Sequence, residues 1–267
     1  MLAPQSPGPL LRALRLARRL SQEELAGRAE ISTRHLSCLE SGRARPSHAM
    51  LLLLGAALDL PLRERNNLLV AAGFAPVYRV SPLDDPAMAH VGQAIAHLLR
   101  IHEPHPALLL DRAWNILRAN DGALRLFRWC GLELAGPAVI NVHRVLFDPA
   151  LGFRRLVVNF DALADATLAR LRTEVDVDPS SRVMLHELEH LRGETRARSD
   201  DPGANAVALP IHIRRGDQEL RYFTTLTTLG TPLDVTAQEL RIDGFFPTDD
   251  ATDAFARQLE REAEPRT

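Results

Sequence analysis

The residues with the clearest catalytic spacing are the two histidines and the glutamate of the segment HELEH. His186 and His190 stand four positions apart, and Glu187 lies between them. On a helix this spacing places two imidazoles one turn apart, where they can bind zinc while the carboxylate acts as general base. A catalytic zinc needs a third protein ligand, and Arg196 stands where the longer motif has its histidine. The segment predicts either an incomplete zinc site or an amphipathic helix with a solvated face, and the second interpretation is favoured.

Charge is distributed unevenly along the 267 residues. The chain has 32 basic residues, all of them arginine, and 34 acidic residues, so its formal net charge is −2. The first 75 residues hold ten arginines against six acids, and the remainder is therefore acidic. Such an asymmetry indicates a front region that faces nucleic acid and a neutral-to-acidic rear region.

Cysteine usage and hydropathy favour a cytoplasmic protein without a membrane partner. Cys38 and Cys130 lack the spacing of a disulfide framework or a zinc module. The longest nearly apolar run, residues 49–58, is about half of the ~20 residues that a membrane span needs. No apolar segment with a small-residue cleavage site stands at the N-terminus.

Helical periodicity and capping residues predict five short helices at the front of the chain. Ser21 begins a capping box, Ser32 opens the third helix, and Gly42 fits the left-handed position after that helix. The sequence therefore predicts an all-α domain over residues 1–75, followed by a proline-rich linker at 76–86.

The rear region mixes strand and helix patterns. Two short strand-like runs precede a helical block at about 121–195, and three alternating, β-branched runs follow residue 205. The first two of those three runs are joined at Gly216–Asp217. This order predicts an α+β domain with a five-stranded antiparallel sheet over residues 87–255 and a polar tail at 256–267.

The front region contains a segment typical of DNA-binding proteins. Residues 20–47, LSQEELAGRAEISTRHLSCLESGRARPS, resemble the helix-turn-helix of the Xre/Cro repressor family. The resemblance lies in the SQEELA start of helix two, the Ile31–Ser32 turn, the LxxLESG end of helix three and the RxRP exit. It implies that helix three lies in the major groove while helix two crosses the phosphate backbone. It also implies a structural pair between Glu40 and Arg15.

The same resemblance implies roles for individual residues. Gln22 would bind phosphate at the start of helix two, and Ser32 would cap the recognition helix. Arg34 is the exposed residue of that helix that can fork onto guanine O6 and N7, and Arg43 would meet a neighbouring phosphate. The complete set of expected DNA-binding residues is Gln22, Ser32, Thr33, Arg34, Ser37, Cys38, Arg43 and Arg45.

The rear region resembles the MmyB-like ligand-binding domain of bacterial repressor-type regulators, which has a PAS-like fold. Three collinear stretches carry the resemblance, and they begin LLLDRAWN at 108, NVHRVLFD at 141 and TTLTTLGTPLD at 224. The resemblance implies a sensor that holds a small apolar effector of fatty-acyl size between sheet and helices. The candidate polar anchors are Asn120, which also fits a helix cap, and Arg144. The apolar side chains expected to line the pocket are Trp114, Phe127, Trp129, Leu146, Phe147, Phe223 and Phe245.

These features predict a cytoplasmic transcriptional regulator that is not an enzyme and uses no cofactor other than its effector. Regulators of this kind bind pseudo-palindromic double-stranded DNA, which implies a homodimer. Two alternatives stay open. The rear domain could be a zinc peptidase that uses His186, Glu187 and His190, or the whole chain could be a protein-interaction scaffold that never contacts DNA.

Overall fold

The computed structural model describes residues 7–133, 139–177, 181–193 and 210–263. The chain forms two compact units. The front unit extends to Asp85 and includes Gly230–Gln238, and the rear unit consists of Pro86–Leu229 and the chain from Glu239 onward.

The front unit is a bundle of five short helices, as predicted. Ser21, Ser32 and Ser47 each precede a helix, and each hydroxyl accepts a hydrogen bond from the backbone N–H three residues later. Gly42 has a φ of +74°, the left-handed conformation expected after the third helix. The helices are α1 (Pro7–Ala17), α2 (Gln22–Arg28), α3 (Thr33–Glu40), α4 (His48–Ala57) and α5 (Leu62–Ala71).

The chain that follows α5 is bound to that helix. Asn66 is 7% exposed, and its Oδ1 accepts the backbone N–H groups of Val77 and Tyr78 at 3.0 Å each. Its Nδ2 donates to the Tyr78 carbonyl at 2.7 Å. The predicted linker thus begins with residues that are part of the front unit.

A segment from late in the chain completes the front unit. Gly230–Gln238 packs there, although it connects two strands of the rear sheet. The backbone N–H of Val235 donates to the Arg79 carbonyl at 2.8 Å, and the N–H of Ser81 donates to Asp234 Oδ2 at 3.1 Å. The sequence did not indicate this exchange.

The rear unit contains the predicted five-stranded antiparallel sheet, with strand order β2-β1-β5-β4-β3. Gly216–Asp217 forms the two-residue turn between β3 and β4, and Gly216 has a φ of +60°. The strands are β1 (Ala107–Leu110), β2 (Ile116–Ala119), β3 (Ile211–Arg215), β4 (Gln218–Thr227) and β5 (Arg241–Pro247).

Helices pack against this sheet and enclose an apolar core. Residues of α7 to α10 and of the strands share one buried cluster, in which Phe147, Leu188 and Ile213 are fully buried. No helix within the described ranges is long and apolar enough to cross a membrane. The helices of the rear unit are α6 (Ala89–Ile101), α7 (Asp121–Trp129), α8 (Val142–Phe147), α9 (Phe160–Val177), α10 (Arg182–Arg192) and α12 (Asp250–Ala263), with 3₁₀ turns at Pro86–Met88, Pro149–Leu151 and Phe153–Leu156. The short helix α11 (Val235–Glu239) lies, apart from its last residue, in the Gly230–Gln238 segment of the front unit.

The predicted polar tail from residue 256 begins inside a helix, because α12 continues to Ala263. Thr252 and Ala256 lie one turn apart on the buried side of this helix, at 0% and 5% exposure. The Thr252 hydroxyl also accepts the Arg221 backbone N–H of β4 at 3.0 Å. Burial of one face therefore orders a segment whose composition is mostly polar.

Candidate DNA-binding surface and ligand cavity

Helix α3 presents one face to the core of the front unit and another to solvent. Leu36 and Leu39 are at most 1% exposed, whereas Arg34 is exposed. Ser32 caps the helix as predicted, because its Oγ accepts the His35 backbone N–H at 3.2 Å. The predicted recognition helix is therefore anchored by leucine and leaves an arginine accessible.

A buried ion pair connects α1 to the end of α3. Arg15 Nε and Nη2 donate to the two oxygens of Glu40 at 2.6 and 2.9 Å, and Arg15 Nη1 donates to the Leu20 carbonyl at 2.7 Å. Burial opposes ionisation of Glu40, but the hydrogen bonds from Arg15 and Gln22 outweigh it and lower the pKa of the carboxyl. The structural pair expected between these residues is confirmed.

The other predicted DNA-binding residues differ in exposure. Gln22 Nε2 donates to Glu40 Oε2 at 2.8 Å, so in this structure its amide nitrogen is used inside the protein. Arg43 Nε donates to Ser41 Oγ at 2.9 Å. Thr33, Arg34, Arg43 and Arg45 are exposed, and Ser37 and Cys38 are half-buried. Contact of these residues with DNA stays a prediction.

The HELEH segment lies on α10 and is an amphipathic helix in the structure. Leu185 and Leu188 are buried, whereas the His186 side chain is 72% exposed. Glu187, the proposed general base, forms an ion pair with Arg144, with its Oε1 at 2.7 Å from Arg144 Nε. Within the described residues no group of three or more His, Cys, Asp or Glu side chains could hold a metal ion, and Arg196 lies outside those residues.

The rear unit encloses a cavity of about 310 Å³ between the sheet and helices α7 to α9. This volume lies at the lower end of the range for small-molecule sites, about 300–1,000 Å³. Four of the seven predicted lining residues surround it, namely Trp114, Phe127, Leu146 and Phe245. The other described residues around it are Leu126, Val142, His143, Val145, Phe153, Leu163, Ala166, Thr167, Arg170, Ile211, Ile213, Thr224 and Asp243.

The other three predicted lining residues lie elsewhere in the rear unit. Phe223 stacks on Phe246 with ring centroids 5.2 Å apart, on the face of the sheet opposite Phe245, because side chains alternate along a strand. Phe147 is fully buried against Phe160. The Trp129 ring packs 5.2 Å from Phe255 of α12. Size and apolarity did not distinguish pocket residues from core residues.

The two predicted polar anchors also lie outside the cavity lining. Asn120 is a helix cap, since its Oδ1 accepts the Ala123 backbone N–H of α7 at 2.9 Å. The same oxygen accepts the Ala107 N–H of β1 at 2.8 Å. Arg144 extends to Glu187 on the surface. The cap interpretation of Asn120 is confirmed, and neither Asn120 nor Arg144 lines this cavity.

A network of Asx residues places Trp114 at the cavity. Trp114 has a φ of +66°, in the left-handed region that tryptophan rarely adopts. Asp111 Oδ1 accepts the Asn115 backbone N–H at 2.8 Å, and Asn141 Nδ2 donates to the Ala113 carbonyl at 2.7 Å. These bonds hold the turn between β1 and β2 around the strained residue, a kind of strain that concentrates at functional sites.

Asn141 also positions the helix that supplies the next lining residues. It is 3% exposed, and its Oδ1 accepts the backbone N–H groups of His143 and Arg144, which caps α8. The cap turns His143 and Leu146 toward the cavity. The His143 ring lies 4.7 Å from that of Trp114.

Charged and polar side chains gather at one end of the cavity, and sequence reasoning missed them. The Arg170 guanidinium lies 4.2 Å from the Trp114 ring centroid, and that of Arg241 lies 4.4 Å from it. Asp243 is 8% exposed and its Oδ1 has no hydrogen-bond partner among the described residues; the same holds for Nε2 of His143, which is 4% exposed. The sequence offered one signal for these residues, namely the acidic Asp243 between the apolar residues of the β5 segment IDGFF.

Burial controls the protonation of both buried groups. Desolvation raises the pKa of Asp243 to about 7, against the lowering influence of Arg170 and a hydrogen bond with Thr224. Desolvation, together with the charges of Arg170 and Arg241, lowers the pKa of His143 to about 3. His143 is thus neutral at pH 7, and Asp243 is close to half protonated.

Comparison with protein-family models gives two matches. Residues 91–259 match the model described as the MmyB-like transcription regulator ligand binding domain. Residues 8–68 match the model of a helix-turn-helix domain. Comparison with curated proteins gives no match.

Proposed function

The chain belongs to the family of MmyB-like transcription regulators, and from this premise we propose that it binds a pseudo-palindromic operator as a homodimer and responds to a small apolar effector of fatty-acyl size. The helix-turn-helix makes it a DNA-binding regulator, and the rear unit is its ligand-binding domain. The observation that supports the proposal best is the cavity of about 310 Å³ in the rear unit, lined mainly by apolar side chains. The proposed function involves no catalysis and is carried out in the cytoplasm.

The front unit supports base recognition through Arg34. This residue is exposed on α3, and its neighbours toward the core are buried leucines. A guanidinium can donate two parallel hydrogen bonds to guanine, and each such pair discriminates against a wrong base by about 1–3 kcal/mol. Arg43, beyond the end of α3, is suited to a phosphate contact that is independent of sequence.

The DNA-binding part of the proposal is tested on an operator selected from a random DNA pool. Arg34→Ala should weaken operator binding by about 1–3 kcal/mol and leave binding to random DNA nearly unchanged. Arg43→Ala should weaken both and lower the salt slope by about one unit. Arg118→Ala, on an exposed position of β2, is the control. Equal losses on both DNAs for Arg34→Ala would remove this residue from base recognition.

The general geometry of helix-turn-helix binding supports the proposed homodimer. Two recognition helices reach successive major grooves when the half-sites are about 34–36 Å apart. A footprint with two protected half-sites and sedimentation as a dimer are the expected results. A single protected half-site bound by a monomer would contradict the proposal.

The effector part is tested by thermal unfolding with saturated fatty acids of about 8 to 18 carbons. A ligand that binds only the folded protein stabilises it by about 2.7 kcal/mol at a hundredfold excess over Kd. Leu146→Trp, which fills part of the cavity, should abolish the shift and leave ligand-free DNA binding intact. Leu117→Trp, at a residue 39% exposed on β2, is the matched control. Absence of any shift across the series would contradict the proposed effector.

A further inference from the structure

The polar end of the cavity contains more unpaired hydrogen-bonding capacity than a structural role requires. Asp243 Oδ1 and His143 Nε2 are both enclosed, and neither has a hydrogen-bond partner among the described residues. A buried polar atom without a hydrogen-bond partner destabilises the folded protein. Two such atoms on side chains that line one cavity indicate a partner that enters from outside.

Arg241 shares this property, because its Nη1 is buried without a hydrogen-bond partner among the described residues. Arg170 lies at the accessible side of this end, with Glu174 and Asp243 as its charged neighbours. Its side chain is exposed and lines the cavity, and its guanidinium makes no hydrogen bond or ion pair with a described residue. The neighbouring cation, Arg241, has its Nη1 3.5 Å from Glu174 Oε1, and Trp114 Nε1 donates to Glu174 Oε2 at 3.2 Å. The Glu174 carboxylate is thus already in contact with Arg241 and Trp114.

We propose that Arg170, Asp243 and His143 together bind the carboxylate head group of an apolar acid whose chain occupies the rest of the cavity. This inference rests on the proposed function and assigns the polar part of that ligand to named residues. Arg170 supplies the cation, and a guanidinium and a carboxylate pair through two parallel hydrogen bonds. Apolar residues such as Phe127, Val145 and Ile213 supply the remaining surface.

Charge balance favours an anion over a neutral or cationic head group. With Asp243 protonated, two cations, Arg170 and Arg241, face one anion, Glu174, and a monoanionic ligand makes the cluster neutral. A protonated Asp243 donates a hydrogen bond from the oxygen that now lacks a partner. An ammonium head group would instead meet two guanidinium groups.

The protonation of Asp243 makes this binding dependent on pH. Its pKa of about 7 means that the donating form dominates below that pH and declines above it. Apparent affinity scales with the fraction of protein in the binding-competent form, so it should fall about tenfold from about pH 6 to about pH 8. The titratable and charged groups near Asp243 are Arg170 and Glu174 of α9, His143 of α8 and Arg241 of β5, and the Thr224 hydroxyl lies on β4. His102, directly after α6, contacts the backbone of Phe245 and lies next to Gly244.

The experiment compares dodecanoic acid, 1-dodecanol and dodecylamine, which share one chain and differ in the head group. Titration of the full chain should give the tightest binding for the acid and the weakest for the amine. Arg170→Gln should weaken dodecanoate by about ten- to hundredfold and leave dodecanol unchanged, which also shows that the variant is folded. Arg172→Gln, an exposed arginine on the same helix outside the cavity lining, is the matched control.

Further variants separate the roles within the site. Arg170→Lys keeps the charge but loses the fork, and its dodecanoate affinity should lie between those of the wild type and Arg170→Gln. Asp243→Asn should bind dodecanoate without the pH dependence, and dodecanol binding should be independent of pH in both proteins. Equal affinity for acid and amine, or a dodecanoate affinity insensitive to Arg170→Gln, would overturn the inference while the apolar effector stands. If none of the three probes binds, the proposed effector fails as well.

Discussion

The two units each contain a cluster of arginine and carboxylate side chains, and the clusters differ in how completely they are paired. In the front unit Glu40 accepts three hydrogen bonds, two from Arg15 and one from Gln22. In the rear unit Asp243 Oδ1 and Arg241 Nη1 are buried without a hydrogen-bond partner among the described residues. The first arrangement fixes one helix against another. The second is suited to receiving a ligand.

The difference also appears in the pKa of the two carboxyl groups. Hydrogen bonds lower the pKa of Glu40 despite its burial, whereas desolvation raises that of Asp243 to about 7. Burial alone therefore does not identify a functional carboxylate. The pairing of its oxygens distinguishes a structural group from one that awaits a partner.

The largest expected effect is on the free energy of unfolding, when the buried Arg15–Glu40 pair of the front unit is broken. Glu40→Gln leaves the Arg15 cation buried without its counter-charge, and loss of one partner of a buried pair costs about 3–5 kcal/mol. Urea unfolding of the full chain should show this loss. Glu187→Gln removes a surface partner of Arg144 and should cost at most about 1 kcal/mol. A loss as small for Glu40→Gln would show that the cluster is not structural.

Asp243, whose pKa is raised, should make stability depend on pH with the opposite sign to Glu40, whose pKa is lowered. Between its usual pKa of 3.8 and its raised value of about 7, Asp243 retains a proton in the folded protein that the unfolded chain has lost. Its contribution to the free energy of unfolding therefore falls as pH rises through this window and is constant above it.

Asp243→Asn removes this contribution. The variant should gain stability relative to the wild type as pH rises from about 4 to about 7, with no further gain above. Urea unfolding across that range measures the difference, and Asp84→Asn, at an exposed position, is the control. A difference independent of pH would show that Asp243 is ionised in the folded protein as in the unfolded chain.

Local signals in the sequence were sufficient for the front unit and for the strands. Serine caps, the glycine after α3 and the alternation of β3 to β5 each act over a few residues, so they can be recognised without tertiary contacts. The Arg15–Glu40 pair was predicted because a family resemblance supplied its long-range partner. The packing of Gly230–Gln238 in the front unit had no such signal.

The cavity was harder to predict for a physical reason. Core and pocket residues share size and apolarity, so Phe147 and Phe223 could not be separated from Phe127 and Phe245 by composition. The polar residues of the cavity are brought together from α8, α9 and β5. Their spacing in the sequence therefore gives no indication that they lie close together in the fold.

The smallest expected effect concerns the HELEH segment, whose carboxylates form ion pairs at the surface. Glu187 contacts Arg144, and Glu189 Oε1 lies 2.8 Å from Arg172 Nη2. The His186 side chain is 72% exposed, and truncating exposed residues changes stability by about 0.5 kcal/mol or less. His186→Ala and His190→Ala should therefore leave folding and operator binding nearly unchanged. Stoichiometric zinc in the purified wild type, lost in both variants along with a peptidase activity, would restore the metalloenzyme alternative.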